Sequence, residues 1–506
     1  GTGATQGQTE SWSDLGFAAY FTEFAISAGE GVNPYVLGPY VTGDPEAGIR
    51  NYAMNDSPLN YSDLDYDPNG LGSPHANGEI WSATNFDILE TLNARYDGAF
   101  PSGDAVLQNR CARGELPADE CPGNRRWNQI QYDSFLIQPS GATMVDSRDG
   151  MLAADLLRFD GANQAELWNT FAARGLGTDA SAVNAADVDS VPSFTSPTRS
   201  DEAQVRFTAP EGVTDMQVFA GRFEAEAMPV ADTVTDTNLA DTAAFVPGTY
   251  EFIARAAGYG LQRFTLTLAP GATTTAEVPF RVNHASSAQG ATIAGDGVNL
   301  EALLDDTEST NWASLTSEGT ASAGKPEGAQ VEGRQVTVDL AGDAPVMVRE
   351  VQVSASLRGP MTDENGEPVP NDPDPGTQSR FSALRSFEVL ACNQAAGADC
   401  TRPESFTEIF ASPDDAFPAT RPRPRIPDWL IRPFDVTDTA ATHLRLVVRD
   451  SQCTGGPDFQ GENNPDADPL FNPDCDFEGA SPDRRILRPP TQQVRAAELQ
   501  VFGTPV

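Results

Sequence analysis

The sequence predicts a multidomain protein in which a mainly α-helical segment is followed by two all-β segments. In residues 1–185, apolar residues recur at intervals of three and four, which is typical of amphipathic helices. From residue 203 onward, short runs alternate apolar and polar residues between turn-forming residues, which is typical of half-buried strands. A chain of 506 residues is long enough for about three domains.

Changes in composition along the chain predict where these domains meet. We expect a helical lobe over residues 1–185 and a Ser/Thr/Pro-rich linker over 186–202. A small β-sandwich is expected over residues 203–283, and a larger β domain over 284–506. The small sandwich contains no catalytic constellation, and we interpret it as a spacer.

Within the lobe, the helical pattern begins around Trp12 and returns over residues 80–92, 127–137, 148–159 and 165–173. Asp146 or Ser147 is the expected N-cap of the helix that contains residues 148–159. Residues 29–78 and 97–126 are expected to be long loops. In the β segments the expected strands are 203–208, 248–255, 275–282, 335–340, 348–355, 386–392, 443–448 and 494–502.

The charge of the chain excludes several classes of partner. With 32 Lys and Arg against 73 Asp and Glu, the formal net charge is −41 and the isoelectric point is near 4.2. Such a surface repels nucleic acids and anionic lipids. The sequence contains no apolar run of about 18 residues, so no transmembrane segment is expected.

The six cysteines fall into three local pairs, each of which brackets a polar loop: Cys111 and Cys121, Cys392 and Cys400, and Cys453 and Cys475. This arrangement predicts three disulfides and an oxidising, extracellular compartment, and therefore a secreted protein. Six reduced thiols in a cytosolic protein are the alternative interpretation.

A pair of carboxylates opens the first helix. Glu10 and Asp14 are separated by four residues and therefore share one face of that helix. A zinc site built on an HEXXH helix needs a third ligand, commonly a glutamate, and a carboxylate that orients a zinc-bound histidine. The pair fits those two roles by chemistry and spacing. The alternative is a favourable interaction of two acidic residues with the helix dipole.

Five motifs in this segment resemble, in the right order, those of the fungalysin-type metallopeptidases, which have a thermolysin-like fold. They are ESWSD at 10–14, GIRNY at 48–52, PHANGEIW at 74–81, QP at 138–139 with DSRD at 146–149, and FAARGLG at 171–177. Together they cover about residues 5–180. The resemblance implies that the helical lobe is the C-terminal part of a zinc-dependent endopeptidase that hydrolyses peptide bonds.

The resemblance also implies roles for four residues. Glu10 is expected to be a zinc ligand, and Asp14 to orient a zinc-bound histidine. His75 is expected to donate a hydrogen bond to the oxyanion of the tetrahedral intermediate. Arg50 is expected to bind the substrate carbonyl and to brace Glu10. The alternatives are a histidine that caps a helix start and an arginine in a structural ion pair.

One departure from the family pattern is large. Fungalysins place HEXXH shortly before the glutamate motif, whereas only nine residues precede Glu10 here and no HEXXH occurs in the 506 residues. A chain that starts at Gly1 without a methionine suggests a processed product. We therefore expect a partner, either a separate chain or a cleaved upstream segment, that carries HEXXH and shares the zinc.

In the last domain, residues 304–312 (LDDTESTNW) and 497–503 (AELQVFG) resemble signatures of the discoidin-like, coagulation-factor type C jelly rolls. Members of that family commonly bind glycans or surface lipids, and many hold a structural calcium ion. The matching candidates for calcium are Asp305, Thr310 and Glu498. Asp306 stands where the family has glycine. The alternative is an Asx-capped turn without an ion.

Residues 203–283 resemble the carboxypeptidase-regulatory and fibronectin type III-like sandwiches. The leading hypothesis is therefore a secreted zinc-dependent endopeptidase whose β domains attach it to a surface or a glycan. A catalytically inactive binding or structural extracellular protein that uses the discoidin-like domain is the alternative.

Overall fold

The computed structural model describes residues 4–23, 33–67, 73–314, 331–359, 373–374, 378–418, 424–453 and 493–506. The chain forms two compact units. The first comprises Gly1–Thr208, Gln217–Ala254 and Arg263–Val278, and the second comprises Ala209–Met216, Arg255–Gln262 and Pro279–Val506. A helical lobe followed by sheet-rich segments confirms the fold class expected from the sequence.

The helical lobe of the first unit contains seven α-helices among its described residues. They are α1 (Ala4–Glu23), α2 (Pro39–Thr42), α3 (Ser73–Tyr96), α4 (Ala105–Ala112), α5 (Gly123–Phe135), α6 (Met144–Phe159) and α7 (Gln164–Ala173). Five of them, α1, α3, α5, α6 and α7, contain the predicted helical patterns. Their apolar faces supply buried residues of the core, among them Trp81, Trp127 and Phe171.

Three expectations about the lobe were wrong. The segment 29–78, expected to be a loop, contains α2 and the start of α3. The segment 97–126, expected to be a loop, contains α4, whose N-cap Asp104 accepts hydrogen bonds from Val106 N (2.9 Å) and Leu107 N (3.1 Å). Helix α6 is capped by Thr143 rather than by Asp146 or Ser147. Asp146 instead occupies the third helical position, where its carboxylate accepts from Thr143 N at 2.9 Å and completes a capping box.

The first unit also holds most of the small β-sandwich. Its strands are β1 (Ala203–Thr208), β2 (Gln217–Ala220), β3 (Ala231–Asp232), β4 (Thr242–Phe245), β5 (Gly248–Ala256), β6 (Gly260–Leu268) and β7 (Thr273–Glu277). One sheet has the order β4-β1-β7 and the other β3-β2-β5-β6. Phe207 and Phe245 of the first sheet meet Phe252 of the second at ring-centroid distances of 5.4 and 5.5 Å. The expected strand over 275–282 ends earlier, at Glu277.

The second unit is a larger antiparallel sandwich. Its strands are β8 (Thr292–Gly295), β9 (Trp312–Ala313), β10 (Gln335–Asp339), β11 (Val346–Ser354), β12 (Leu384–Cys392), β13 (Thr407–Ala411), β14 (Arg432–Ala441), β15 (His443–Ser451), β16 (Arg495–Ala496) and β17 (Glu498–Pro505). A sheet of order β13-β12-β15-β10-β8 packs against one of order β14-β11-β17. Between them, the ring centroids of Phe387 and Phe434 are 5.1 Å apart. Strands β9 and β16 form a separate pair.

The described cysteines are all in disulfides. The pairs Cys111–Cys121 and Cys392–Cys400 are bonded as predicted. Cys453 is disulfide-bonded too, and its predicted partner, Cys475, lies outside the described residues. Among the helices that the structure describes, none is long and apolar enough to cross a membrane.

A buried carboxyl group in the lobe gives the protein a specific pH dependence. Asp63 accepts hydrogen bonds from the backbone and side-chain N–H groups of Asn60, both at 2.9 Å, and burial raises the pKa of Asp63 to about 8. In the unfolded chain an aspartate has a pKa of about 3.9. The native state therefore binds the proton of the Asp63 carboxyl group more tightly than the unfolded state does. The stabilisation that Asp63 contributes is complete below about pH 4 and is lost as the pH rises towards 8.

We therefore expect Asp63→Asn to flatten the pH dependence of unfolding. Between about pH 5 and 7, the wild type should lose roughly 1 kcal/mol of unfolding free energy per pH unit relative to the variant. Urea unfolding of both proteins across this range measures the difference. Parallel pH profiles would contradict the prediction.

Candidate active site

Helices α1 and α3 approach each other closely at two glycines. A Cβ atom at Gly78 would lie 2.7 Å from the carbonyl oxygen of Gly7, so no larger residue fits there without moving a helix. One turn further along, the hydroxyl groups of Ser11 and Ser82 are 2.8 Å apart. This close crossing brings the side chain of Glu10 on α1 to that of His75 at the start of α3.

Arg50 is held in place by the turn that precedes it. Gly48 has φ +65°, and a Cβ atom there would lie 2.0 Å from the carbonyl oxygen of Leu37. The close approach lets Ile49 N donate a hydrogen bond to that same carbonyl at 2.9 Å. The glycine of the GIRNY motif is therefore required by backbone geometry, and it fixes the chain just before Arg50.

The four residues expected at the site form one cluster. Arg50 makes a bidentate pair with Asp14, with Nε–Oδ2 and Nη2–Oδ1 distances of 2.9 Å each. Arg50 Nη1 lies 3.2 Å from His75 Nδ1. His75 Nδ1 in turn lies 2.9 Å from Glu10 Oε2, which is 3.8 Å from Arg50 Nη2.

The cluster has a buried half and an open half. The side chains of Asp14 and Arg50 are 5% and 9% exposed, whereas those of Glu10 and His75 are 37% and 41% exposed. Burial raises the pKa of Asp14, and the hydrogen bonds from Arg50 offset part of this effect. Burial by itself would lower the pKa of Arg50, but the bonds and charge of Asp14, aided by Glu79 and Glu10, raise it. Arg50 is therefore a permanent cation beside two accessible polar groups.

A further residue, not anticipated from the sequence, supports this cluster. Glu79 on α3 is buried and accepts hydrogen bonds from the backbone N–H groups of Asn51 (3.0 and 3.1 Å) and Tyr52 (3.0 Å). Its position four residues after His75 was the one signal in the sequence that could have pointed to it, since that spacing places both on one helix face.

The cluster offers one suitable zinc ligand but not the complete set of ligands that a zinc site needs. Zinc sites are built from histidine nitrogens, cysteine sulfurs and carboxylate oxygens, with at least three protein ligands. Within the described ranges, no three His, Cys, Asp or Glu side chains are grouped so that they would hold a metal ion. Glu10 has a partly exposed carboxylate that suits such a bond, while both oxygens of Asp14 accept from Arg50.

The second unit brings together the three residues expected to bind calcium. Thr310 Oγ1 donates to Asp305 Oδ2 at 2.7 Å, and Thr307 N donates to Glu498 Oε2 at 3.3 Å. Glu498 is fully buried, and its Oε1 atom has no hydrogen-bond partner among the described residues. Burial, reinforced by the charges of Asp306 and Asp305, raises the pKa of Glu498 far above its usual range.

Asp306 has a backbone conformation that its own side chain stabilises. Its φ of +61° lies in the left-handed region, which favours glycine but which aspartate also tolerates. The carboxylate accepts hydrogen bonds from Ser286 Oγ (2.5 Å), Gly258 N (2.7 Å) and Asn283 Nδ2 (2.8 Å), which stabilise this conformation.

Residues 1–180 match the family model described as fungalysin metallopeptidase (M36), which confirms the resemblance for this segment. Extracellular metalloproteinase 4 of Trichophyton rubrum is 30% identical over 175 residues, which are 34% of this chain and 25% of that protein. Extracellular metalloproteinase 4 of Trichophyton tonsurans is 29% identical over the same length and the same shares.

The chain thus spans about a quarter of the length of these curated relatives. Among solved structures, CpGH89CBM32-5 from Clostridium perfringens, in complex with GalNAc-beta-1,3-galactose, is 12% identical with a TM-score of 0.22 and covers 42% of this chain and 97% of that one. The CBM32 of AlyQ, in complex with 4,5-unsaturated mannuronic acid, is 13% identical with a TM-score of 0.20 and covers 42% and 92%.

Proposed function

We propose that the helical lobe is one half of the active site of a secreted zinc-dependent endopeptidase, completed by a segment that carries HEXXH. The observation that supports this most strongly is the contact of Glu10, Asp14, Arg50 and His75 in one cluster, although they come from three separate stretches of the chain. The fungalysin match and the extracellular metalloproteinases among the relatives agree with it.

In this proposal, Glu10 supplies one zinc ligand from the open side of the cluster. Zinc, when bound, activates a water molecule for attack on the peptide carbonyl. Asp14 holds Arg50 through two hydrogen bonds, and each of its oxygens keeps a lone pair with which to orient a histidine of the HEXXH segment. Arg50 and His75 then bind the carbonyl oxygen of the substrate and stabilise the negative charge that develops on it.

The β domains serve, in the same proposal, to attach the enzyme to a surface or a glycan. This part is supported by the discoidin-like signatures and by the buried carboxylates around Glu498, which resemble a site where calcium shapes a loop. The alternative remains an inactive extracellular binding or structural protein that uses the same domain.

Intact and denaturing mass spectrometry of the protein purified from its source tests the central claim. We expect a second polypeptide with an HEXXH sequence to copurify with this chain, together with one equivalent of zinc and hydrolysis of a peptide substrate. If this chain is alone and its gene encodes no HEXXH upstream, the endopeptidase proposal is wrong and the binding function takes its place.

Calcium is expected to stabilise the second unit through Glu498, Asp305 and Thr310. Carbonyl and hydroxyl oxygens complete the six to eight ligands that calcium prefers. At free calcium of about 100 times the Kd, the unfolding free energy should rise by about 2.7 kcal/mol. Thermal unfolding in calcium and in chelator measures this effect.

Variants at two glutamates make that measurement specific. Glu498→Gln should lose the response to calcium and be more stable than the wild type in chelator, because the acidic group at position 498, buried beside Asp305 and Asp306, is replaced by a neutral amide. The exposed Glu301 provides the control, and Glu301→Gln should respond as the wild type does. Equal unfolding temperatures of the wild type in calcium and in chelator would contradict a calcium site.

A further inference from the structure

The buried carboxylate of Glu79 holds the stretch of backbone that follows Arg50. Its two oxygens accept from Asn51 N at 3.0 and 3.1 Å and from Tyr52 N at 3.0 Å. Glu79 is only 5% exposed, so these charge-assisted bonds form away from water, where they are strongest. A buried carboxylate without such donors would destabilise the folded state, so these hydrogen bonds are required at this position.

The backbone is therefore held by hydrogen bonds on both sides of Arg50. On its N-terminal side, Ile49 N is bonded to Leu37 O at 2.9 Å. On its C-terminal side, Glu79 binds the next two amide groups. With the main chain fixed at both ends, the guanidinium group reaches Asp14 and His75 with little freedom to move.

A second set of hydrogen bonds holds the side chain of Asn51 in place. Asn51 Nδ2 donates to Asp67 Oδ2 at 2.8 Å and to Tyr66 Oη at 3.1 Å, and it lies 3.4 Å from Glu79 Oε1. The cavity beside Arg50 and Glu79 measures about 10 Å³, which leaves room for about one water molecule. Asn51, Tyr66 and Asp67 are themselves buried, so bulk water does not compete for these bonds.

Glu79 also links the two catalytic side chains of the proposed site. It lies one helical turn after His75 on α3, so a single rigid helix presents the imidazole and holds the segment that carries Arg50. Its negative charge is one of the causes that raise the pKa of Arg50. Without touching the substrate, Glu79 can thus set the position of the group that does.

We propose that Glu79 is a positioning residue of the peptidase, which fixes Arg50 relative to His75 through the amide groups of Asn51 and Tyr52. This inference rests on the proposed function. It predicts that losing the carboxylate slows the chemical step and leaves KM nearly unchanged, because Arg50 acts mainly on the negative charge that develops in the transition state.

Hydrogen exchange followed by mass spectrometry on the 506-residue chain tests the contact itself. In Glu79→Gln, the amides of Asn51 and Tyr52 should exchange about tenfold faster than in the wild type, since bonds to a charged acceptor are lost. Glu90→Gln is the matched control, because Glu90 lies exposed on the same helix, and its exchange pattern should equal that of the wild type.

Peptide hydrolysis by the same chains, combined with the HEXXH-bearing segment, tests the role. Glu79→Gln should lower kcat about tenfold, at the lower end of what residues behind a metal site contribute, with KM within about twofold. If Glu79→Gln does not fold, Glu79→Asp, which keeps the charge but reaches less far, should show both effects in smaller measure.

Unchanged exchange in a folded variant, or an unchanged kcat despite faster exchange, overturns the inference. Failure of the proposed function looks different. A wild type that hydrolyses no peptide while Glu79→Gln still exchanges faster overturns the proposed function, and the catalytic role of Glu79 with it. An active wild type beside an equally active Glu79→Gln overturns the inference alone.

Discussion

Replacing Glu10 by alanine is expected to abolish zinc binding and to lower kcat/KM of the assembled peptidase by about a thousandfold or more. A catalytic metal contributes several kcal/mol to the stabilisation of the transition state, and each 1.36 kcal/mol is worth a factor of about ten in rate. Glu10 is the residue of the cluster whose carboxylate is both accessible and suited to a zinc bond. Zinc content by atomic absorption, together with peptide hydrolysis, measures both effects.

The same substitution should leave the fold almost unchanged. Glu10 and His75 are both more than a third exposed, and exposed ion pairs contribute about 0–1 kcal/mol to stability. Glu90→Ala removes an equal charge from an exposed position on α3 and should keep both zinc and activity. A Glu10→Ala protein that retains one equivalent of zinc and full activity would rule out the role proposed for Glu10.

Asp14→Ala is expected to destabilise the fold, unlike Glu10→Ala, with a loss of about 3–5 kcal/mol in the free energy of unfolding. The side chains of Asp14 and Arg50 are 5% and 9% exposed and share two hydrogen bonds of 2.9 Å. Removing one partner of a buried pair leaves the other charge without compensation, which causes losses of this size. Urea unfolding measures the change.

A more exposed pair in the same lobe provides the comparison. Asp133 bonds Arg158 at 2.7 Å, with side chains 18% and 47% exposed, so Asp133→Ala should cost about 1 kcal/mol or less. If Asp14→Ala costs no more than Asp133→Ala, Arg50 is less buried than the structure indicates. The contrast between Glu10 and Asp14 also separates the open half of the cluster, whose loss affects the metal but hardly the fold, from the buried half, whose loss also destabilises the fold.

The sequence predicted the members of the candidate site more completely than it predicted their contacts. Glu10 and Asp14 share a helix face by spacing alone, and the motif order added Arg50 and His75. The pairing of Arg50 with Asp14 was not foreseen, because it depends on where a loop returns to helix α1. The carboxylate of Glu79 was missed for the same reason, since its partners are backbone groups of a segment 27 and 28 residues away.

Disulfides, helices and helix caps were likewise predicted correctly in some places and missed in others. The disulfides Cys111–Cys121 and Cys392–Cys400 followed from short separations of 10 and 8 residues. Helix α4 was missed because it is short and exposed, with little apolar periodicity. The cap of α6 was misplaced by three or four residues because Asp146 and Thr143 satisfy each other, and both residue types are good caps.

The sequence by itself determined the helical lobe, the two β segments and the residue types of the site, because periodicity, turn residues and short-range spacing are local properties of the chain. Only the tertiary structure decided which side chains meet. The close crossing of α1 and α3 at Gly7 and Gly78 brings Glu10 to His75, and the turn at Gly48 delivers Arg50 to Asp14. Those contacts join residues far apart in the chain, and the packing that creates them depends on the whole core and on no single segment.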